Sequence, residues 1–252
     1  LAHGTWEACS GTSRFKPEGA QEDLVAGIKA LTPKPVVGVG RFTSADAMVR
    51  QIRTGVLDFI GAARPSIADP FLPKKIEEGR FEDIRECIGC NICVSGDMTG
   101  GISSWTQNTA CMEEWRKGWH PEIIAAAEAP EPALIIGGGP AGLEAARALA
   151  QRGVDVVLAE AGGEWGGRVS RECRLPGLAT WGRVRDWRVG QLSTRVNAEV
   201  NKALALPDIR SKLEATDNVP TGGPAAEFAR QIAQETENNA RIIRAAGIQA
   251  SN

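Results

Sequence analysis

Three of the six cysteines lie in one short run, Cys87-Ile-Gly-Cys90-Asn-Ile-Cys93. Cysteines three residues apart make poor disulfides, and no secretion signal is recognised, so we expect reduced thiols in a cytoplasmic protein. Structural zinc sites usually divide their ligands into two separated pairs, whereas three thiolates at this spacing plus a more distant fourth are typical of an iron–sulfur cluster. The candidate fourth ligand is Cys111, which is alternatively a small buried apolar residue.

A glycine-rich segment, Gly137-Gly-Gly139-Pro-Ala-Gly142, follows a predicted strand at 133–136 and precedes a predicted helix at 143–152. The next predicted strand, 154–160, closes with an acid. In this pattern the glycines permit a tight turn, close approach of a pyrophosphate and close helix–strand packing, while the acid accepts hydrogen bonds from a ribose. We therefore predict a dinucleotide- or ADP-binding unit with a further loop at 162–167. Its site residues are Gly137, Gly139, Pro140, Ala141, Gly142, Glu160, Gly167 and Arg168.

Two more predicted strands, at 35–42 and 56–63, alternate with helices, which is typical of a parallel sheet or an α/β barrel. Each strand ends beside an arginine, in Gly40-Arg41 and Ala63-Arg64. Barrel loops after the last two strands frequently bind phosphate through backbone N–H groups and a cation, so we expect a phosphate site there. The helices are predicted at 21–31, at 44–54 with Ser44 as N-cap, and at 71–86.

The composition of the 252 residues, 42% hydrophobic and 24% charged, is that of a globular protein and argues against a disordered or fibrous one. A net charge of −2 gives no basic field for nucleic acid, and the apolar runs fall short of the roughly 20 residues of a membrane helix. Tyr is absent and His occurs only at His3 and His120, which leaves few ordinary acid–base catalysts. Because the sequence begins at Leu1, we take it as a fragment or a processed piece.

Three motifs in this order resemble the iron–sulfur flavoproteins related to trimethylamine dehydrogenase, dimethylamine dehydrogenase and bacterial 2,4-dienoyl-CoA reductase. They are the two arginine-bearing strand ends, the second continuing to Pro70, then the cysteine run, then the glycine-rich segment. Thr106-Gln-Asn108 and residues 113–122 also resemble that family, and the likeness covers roughly residues 1–198. It implies an α/β protein made of the C-terminal fragment of a TIM (β/α)8 barrel, an iron–sulfur loop, a partial Rossmann-like βαβ nucleotide-binding unit and a helical tail.

By this resemblance, Arg41 and Arg64, with the backbone of Gly40 and Ala63, hold the phosphate of FMN, and the cysteine run holds a [4Fe–4S] cluster. The glycine-rich loop binds FAD, or a bare ADP if the chain follows the amine dehydrogenases. The implied protein is an oxidoreductase that passes electrons between a small organic substrate, a methylated amine or an enoyl compound, and an electron-transfer flavoprotein or NAD(P)H. A homodimer is left open, no nucleic-acid or membrane partner is expected, and catalytic residues are not assigned.

The sequence departs from the family in three ways. Only the last two barrel strands are expected in it, so the upstream strands that carry the substrate pocket and the acid–base residues of the family are missing. The family usually has a cysteine immediately before its Thr-Gln-Asn, where this chain has Trp105, so either Cys111 substitutes or the cluster is incomplete. Residues from about 197 to 252 instead resemble the C-terminal end of the tripartite tricarboxylate transporter substrate-binding receptors, with an amphipathic helix predicted at 224–246. We therefore hypothesise a chimera. The rival interpretations are a catalytically inactive cluster- and nucleotide-binding fragment and a periplasmic solute-binding protein.

The predicted domain organisation has four segments: 1–80 for the barrel part, 81–130 for the cluster loop and linker, 131–196 for the nucleotide-binding unit and 197–252 for the tail. Within the second segment, residues 94–122 are expected to be irregular. Trp105, Trp115 and Trp119 are expected either to shield the cluster from solvent or to pack in an ordinary core.

Overall fold

A computed structural model of the protein describes residues 11–100 and 104–205, together with positions 207, 211, 230 and 234. The chain divides into two compact units, Leu1–Gly190 and Gln191–Asn252. The helix predicted at 224–246 lies outside the described residues except for two isolated positions, and the four-segment organisation stays a prediction.

The first part of the chain shows the expected strand–helix–strand alternation. Its two short strands pair in parallel, with Val37 opposite Phe59 and Gly38 opposite Ile60. The intervening helix starts where the sequence predicts, because the Ser44 side chain accepts a hydrogen bond from the N–H of Ala47 at 3.3 Å. The elements are α1 (Glu22–Val25), a 3₁₀ turn (Lys29–Leu31), β1 (Val37–Gly38), α2 (Ala45–Arg53) and β2 (Phe59–Ile60).

A hydrophobic core lies between these helices and strands. Phe42 and Leu57 are its most deeply buried side chains. Phe42 follows β1 and Leu57 precedes β2, each by a few residues. Burial of this apolar surface holds the two strand ends next to each other. The core residues are Val25, Phe42, Ala45, Met48, Leu57, Leu72 and Ile84.

The segment after β2 is more helical than the sequence predicts. The helix expected at 71–86 is a short α-helix followed by a 3₁₀ turn, and the expectation of irregular structure at 94–122 is wrong at both ends of that range. Left-handed residues at Gly79 and Gly118 end two of the short helices. The elements are α3 (Ala63–Ala68), α4 (Leu72–Glu77), a 3₁₀ turn (Phe81–Asp83), α5 (Ile92–Met98) and α6 (Glu114–Lys117).

The strand–helix–strand unit around the glycine-rich segment is confirmed. Its strands pair in parallel over four residues each, from Ala133 opposite Val156 to Ile136 opposite Ala159. Pro140 occupies the first helical turn, where a missing N–H costs nothing. The elements are β3 (Ala133–Ile136), α7 (Pro140–Gln151), β4 (Val156–Ala159), α8 (Arg168–Glu172), a 3₁₀ turn (Ala179–Trp181) and α9 (Gly182–Ala205).

Each two-stranded sheet leaves one apolar face in contact with solvent. Phe59 is 58% exposed on the first sheet, and Ile136 is 83% exposed on the second. Parallel sheets are normally covered on both faces. The exposed face of each of these two sheets therefore has room for a further layer. Within the described residues, no helix is both long enough and apolar enough to span a bilayer.

Candidate functional site

The three cysteines of the run line one pocket. Cys87, Cys90 and Cys93 share it with Arg64 and with the segment that carries Trp105. Cys87 is buried, and the other two thiols are half-buried. The three thiols of the run therefore lie around one pocket, and their role as ligands stays a prediction.

Left-handed backbone gives the cysteine loop its shape. Gly89 (φ 64°) and Asn91 (φ 60°) both lie in this region, and Asn91 is one of the few residue types that tolerates it. The Gly89 carbonyl accepts a hydrogen bond from the N–H of Arg14 at 2.9 Å. A Cβ at Gly89 would approach that same nitrogen to 3.1 Å, so a larger residue would push the loop away from its support.

Burial governs the chemistry of the free thiols. It raises the pKa of Cys87, and this outweighs the opposing effects of a backbone hydrogen bond from Gly89 and the positive charge of Arg64. Burial also raises the pKa of Cys93. A bound metal would remove these protons, since metal-bound cysteine is thiolate. The Cys90 Sγ lies 3.2 Å from Thr106 Oγ1, a hydrogen bond of the kind that tunes a metal–sulfur site.

The donor set consists of three cysteine thiols around one pocket, which is the ligand type that iron–sulfur clusters use. In residues 11–100 and 104–205, no three His, Cys, Asp or Glu side chains converge closely enough to hold one metal ion. A zinc ion with bonds of about 2.3 Å would need such convergence, with sulfurs about 4 Å apart. In a cluster each thiolate binds its own iron, so wider spacing around one pocket is appropriate.

Cys111, the candidate fourth ligand, is half-buried but is not among the residues that line the pocket. Burial raises the pKa of its thiol, as do the negative charges of Glu114 and, more weakly, of Cys93. The role of Cys111 as a ligand stays a prediction.

The two arginines expected to bind a phosphate reach the cysteine loop. Arg64 donates to the Thr12 carbonyl at 2.8 Å and to Asn91 Oδ1, and Arg41 donates to the Lys16 carbonyl. Burial and the nearby positive charge of Arg64 lower the pKa of Arg41, against the opposing charge of Glu18. The Arg41 Nε is buried without a hydrogen-bond partner among the described residues. A phosphate fits this place because it would balance two like charges and satisfy that nitrogen.

The backbone of Gly40 and Ala63 stands beside these arginines, as expected. The Gly40 carbonyl accepts hydrogen bonds from the N–H of Gly19 at 2.8 Å and of Ala20 at 3.2 Å, and a Cβ there would crowd that backbone. Ala63 is the first residue of α3. Both residues hold the strand ends in place, and their contact with a phosphate stays a prediction.

A buried ion pair fastens the strand end after β2 to the start of the cysteine loop. Asp69 and Lys75 are fully buried and lie 2.7 Å apart, and Asp69 also accepts the N–H of Arg85 at 2.9 Å. From the other side, Asn108 donates to the Ile67 carbonyl at 2.8 Å. These contacts fix Arg64 relative to the thiols.

The glycine-rich loop has the geometry of a nucleotide site. Gly137 has a φ of 99°, which only glycine adopts readily, and a Cβ at Gly142 would overlap the Gly137 carbonyl. By contrast, a Cβ at Gly139 would meet nothing within 4 Å, so that position faces open space. Pro140 and Ala141 form the first turn of α7, whose free N–H groups suit a pyrophosphate.

Glu160 and the second glycine loop close around the first loop. Glu160 accepts hydrogen bonds from the N–H groups of Gly138 at 2.6 Å and Gly162 at 2.8 Å, and these lower its pKa. A Cβ at Gly167 would lie 3.3 Å from the Gly139 Cα. Arg168 is exposed and forms an ion pair with Glu172 at 2.8 Å. Glu160 and Gly167 therefore border the predicted site, while Arg168 points its charge along its own helix.

The sequence analysis missed a polar network that joins the cysteine segment to α7 and α9. Gln107 is buried, and its Oε1 accepts a hydrogen bond from Arg188 at 3.0 Å. Arg188 in turn lies 2.8 Å from the Glu144 carboxylate, and Arg85, Arg147 and Arg188 surround the Trp187 ring. Local sequence gave no signal for these contacts, because Gln107 and Arg188 are 81 residues apart.

The tryptophan expectation is confirmed for one residue and wrong for two. Trp105 lines the thiol pocket. Trp115 is 82% exposed and Trp119 is also exposed, so neither shields the pocket nor packs in a core. Trp119 instead carries the Lys117 ammonium 4.6 Å above its ring.

Two family models match the chain. The NADH:flavin oxidoreductase / NADH oxidase family matches residues 3–83, and the NAD(P)-binding Rossmann-like domain matches residues 135–198. These matches coincide with the barrel segment and the nucleotide-binding unit described above.

Three individual proteins show the same relation. Dimethylamine dehydrogenase from Hyphomicrobium sp. (strain x) is 46% identical over 80% of this chain and 27% of its own length. The structure of histamine dehydrogenase from Rhizobium sp. 4-9 is 69% identical with a TM-score of 0.74, over 77% of this chain and 28% of that one.

The structure of 6-hydroxypseudooxynicotine amine oxidase from Pseudomonas geniculata N1 is 60% identical with a TM-score of 0.70, over 75% of this chain and 28% of that one. The chain thus spans little more than a quarter of the length of these relatives. Through about residue 198, it belongs to the flavin-dependent oxidoreductase family of trimethylamine and dimethylamine dehydrogenase and 2,4-dienoyl-CoA reductase.

Proposed function

We propose that this chain is the part of an FMN-dependent oxidoreductase that anchors the flavin phosphate and carries the iron–sulfur cluster. One observation supports this most directly: Arg64, from a strand end predicted to bind phosphate, also lines the pocket of the three thiols. The phosphate anchor and the cluster ligands are therefore neighbours. When bound, FMN exchanges an electron pair with the substrate, and the cluster passes single electrons onward.

The protein's own residues supply position and electrostatics. Arg41 and Arg64 would bind the phosphate, and the loop that contains Cys87, Cys90 and Cys93 would hold the cluster beside it. Thr106, hydrogen-bonded to Cys90, and the half-buried pocket would tune the cluster potential, because hydrogen bonds to sulfur and solvent access are the main protein influences on it.

For the intact protein we propose a small amine as the substrate rather than an enoyl compound. Support comes from three relatives, which are a dimethylamine dehydrogenase, a histamine dehydrogenase and an amine oxidase. An external carrier such as an electron-transfer flavoprotein would accept the electrons. We further propose a nucleotide with an ADP moiety, either ADP or FAD, at the glycine-rich loop, and a reducing, cytoplasmic location that keeps the thiols free.

Anaerobic reconstitution of the full chain with ferrous iron and sulfide tests the cluster. We expect a broad visible absorption that bleaches with dithionite, together with bound iron and acid-labile sulfide. Cys90→Ser should lose most of this absorption, whereas Cys173→Ser, a half-buried thiol outside the run, should retain it. Absence of bound iron and sulfide in the unsubstituted chain would contradict the proposal.

Equilibrium binding of FMN, followed by quenching of its fluorescence, tests the phosphate anchor. Replacing Arg64 by Ala removes a charged hydrogen-bond donor, worth about 1.5–3 kcal/mol, so affinity should fall roughly 10- to 100-fold. Arg116→Ala, at an exposed ion pair, is the matched control and should leave affinity unchanged. Equal affinity of the two variants would remove Arg64 from the site.

A further inference from the structure

We infer that the chain's own residues hold the cluster by three thiolates, with the indole of Trp105 at the corner where a fourth protein ligand would be. This inference rests on the proposed function, since it concerns the same cluster. The sequence leaves two alternatives open: Cys111 is the fourth cluster ligand, or the cluster has no fourth cysteine. The inference selects the second.

The first step is the composition of the pocket wall. The cysteine loop provides one side, and the segment 104–107 provides the side that faces it. On that facing side, Trp105 is half-buried, and its neighbour Thr106 reaches the Cys90 Sγ. Among the described residues that line the pocket, those outside the cysteine loop are Arg64 and this segment.

The second step is that this side has no iron-binding donor of the required kind. An indole N–H donates a hydrogen bond and has no free lone pair for a metal. The Thr106 hydroxyl is already engaged with Cys90, and Ser104 is exposed. Among the residues that the structure describes, the thiols lining the pocket are those of the run.

The third step concerns Cys111. A turn with hydrogen bonds from Cys111 N to Asn108 O (3.3 Å) and from Glu113 N to Ala110 O (2.9 Å) holds its backbone, and Met112 within that turn has a left-handed φ of 69°. Cys111 is half-buried and is not among the described residues that line the pocket. A fourth corner would have to face all three thiols.

An iron atom with no protein ligand is completed by water and is easily lost. Its release from [4Fe–4S]²⁺ as Fe²⁺ leaves [3Fe–4S]⁰, so charge and electrons balance without an oxidant. The site therefore favours a three-iron cluster, or a four-iron cluster with one exchangeable iron. Ligand identity and solvent access are the properties on which cluster behaviour depends.

The test is EPR spectroscopy and iron analysis of the reconstituted full chain, after desalting and oxidation with ferricyanide. Ferricyanide removes one electron from [3Fe–4S]⁰ and gives a half-integer-spin signal, whereas [4Fe–4S]²⁺ is EPR-silent. We expect that signal in the unsubstituted chain, with about three irons per protein. Trp105→Cys should retain about four irons and lose the signal, while Trp105→Phe, which fills the pocket without a thiol, should keep it.

Two further variants address the other thiols. Cys111→Ser and Cys9→Ser should show the same signal as the unsubstituted chain; Cys9 lies outside the described residues and is included for that reason. If the unsubstituted chain keeps a silent four-iron cluster and either serine variant converts it to a three-iron one, that cysteine is the fourth ligand. The inference is then overturned, and the proposed function stands.

The remaining outcomes are also decisive. A silent four-iron cluster in every variant overturns the inference alone. If Trp105→Cys binds iron and sulfide but the unsubstituted chain does not, three thiolates do not hold the cluster, and both the inference and the proposed cluster of this chain fail. If no variant binds iron and sulfide, the proposed function itself fails.

Discussion

Asn91, which lines the thiol pocket, and Arg41, which does not, both have left-handed backbone. Arg41 (φ 59°) and Asn91 (φ 60°) belong to different loops. The Asn91 side chain accepts a hydrogen bond from Arg64, which lines the same pocket. Such conformations are costly for ordinary residues and persist where the surroundings impose them, often at functional sites. Here the left-handed Asn91 lies within the cysteine loop and accepts a hydrogen bond from Arg64.

Asn91 combines a backbone role with a side-chain role, and two substitutions separate them. Asn91→Gly keeps the left-handed conformation but loses the hydrogen bonds to Arg64 and to the Gly11 carbonyl. Asn91→Ala loses both, so it should be less stable than the glycine variant by about 1 kcal/mol in urea unfolding. Equal stability of the two variants would show that the backbone conformation carries no cost.

Glu144 is the acidic centre of the network between the cysteine segment and the nucleotide-binding unit. Burial raises its pKa, but the hydrogen bond from Arg147 and the charges of Arg188, Arg147 and Arg85 outweigh this, so its pKa is lowered. Removing one partner of a buried pair leaves an uncompensated charge, here on Arg188.

We expect Glu144→Gln to lower the free energy of unfolding at pH 7 by about 3 kcal/mol. Glu164→Gln, at the exposed pair with Arg174, is the control and should cost about 1 kcal/mol or less. Chemical denaturation measures both. Similar losses in the two variants would show that the network is not coupled to stability.

The stability of the unsubstituted chain should also depend on pH through Glu144. Because its folded pKa lies below the unfolded value of about 4.3, its contribution is complete above that pH and is lost as the pH falls through the folded pKa. Denaturation between pH 6 and the acid limit should therefore show a shallower acid loss for Glu144→Gln. Parallel curves would contradict this assignment.

At the scale of elements, the turn between β3 and α7 combines a crowded glycine with an open one. Gly142 is required by the fold, because a side chain there would overlap the Gly137 carbonyl. Gly139 has ordinary φ (−70°) and free space around its Cβ position, so its lack of a side chain is not required for folding. Open space at the N-terminus of a helix is where a pyrophosphate would approach.

Alanine substitutions at these two glycines should therefore differ in kind. Gly142→Ala should lower the thermal midpoint. Gly139→Ala should change the thermal midpoint of unfolding no more than a neutral surface substitution does. It should weaken ADP binding, measured by calorimetry, roughly tenfold or more, because the added methyl group blocks the approach of the pyrophosphate to the backbone. Unchanged ADP affinity in Gly139→Ala would argue against nucleotide binding at this loop.

At the scale of the whole molecule, the two apolar sheet faces are the main feature that the described residues leave without a cover. The exposed positions are Val37 and Phe59 on one sheet and Leu134, Ile136 and Val157 on the other. Relatives that match this chain are between two and three times as long, and their additional elements have the length to cover such faces. Uncovered parallel strands are prone to pair with other chains.

We expect the 252-residue chain to self-associate through these faces. The double substitution Ile136→Thr with Val157→Thr should reduce light scattering and the binding of a hydrophobic dye at equal protein concentration. The free energy of unfolding should change by less than about 0.5 kcal/mol per site. Ile123→Thr, equally exposed but outside the strands, is the control. Equal scattering from both variants would exclude the second sheet as the associating surface.

The hypothesis of a chimera also belongs to this scale. The second family match ends at residue 198, near the point where the sequence begins to resemble the transporter receptors. The tail beyond it lies largely outside the described residues, so the hypothesis stays a prediction. Sequencing the native locus across codons 190–205 tests it, since one uninterrupted reading frame in genomic DNA would refute an assembly artefact.

The sequence by itself determined the elements and the chemical inventory. Local patterns located both strand pairs, the Ser44 cap, the glycine-rich turn and the cysteine run, because each depends on residues within a few positions of one another. They failed at 94–122, where short helices form without a long apolar period, and for Trp115 and Trp119, whose exposure depends on the rest of the fold.

Tertiary structure alone decided which side chains meet. That Arg64, Trp105 and the three thiols share one pocket, and that Gln107, Arg188 and Glu144 form one network, depends on contacts between residues tens of positions apart. Such contacts arise from packing of a common core and from buried polar groups finding partners, and neither leaves a mark in the local sequence.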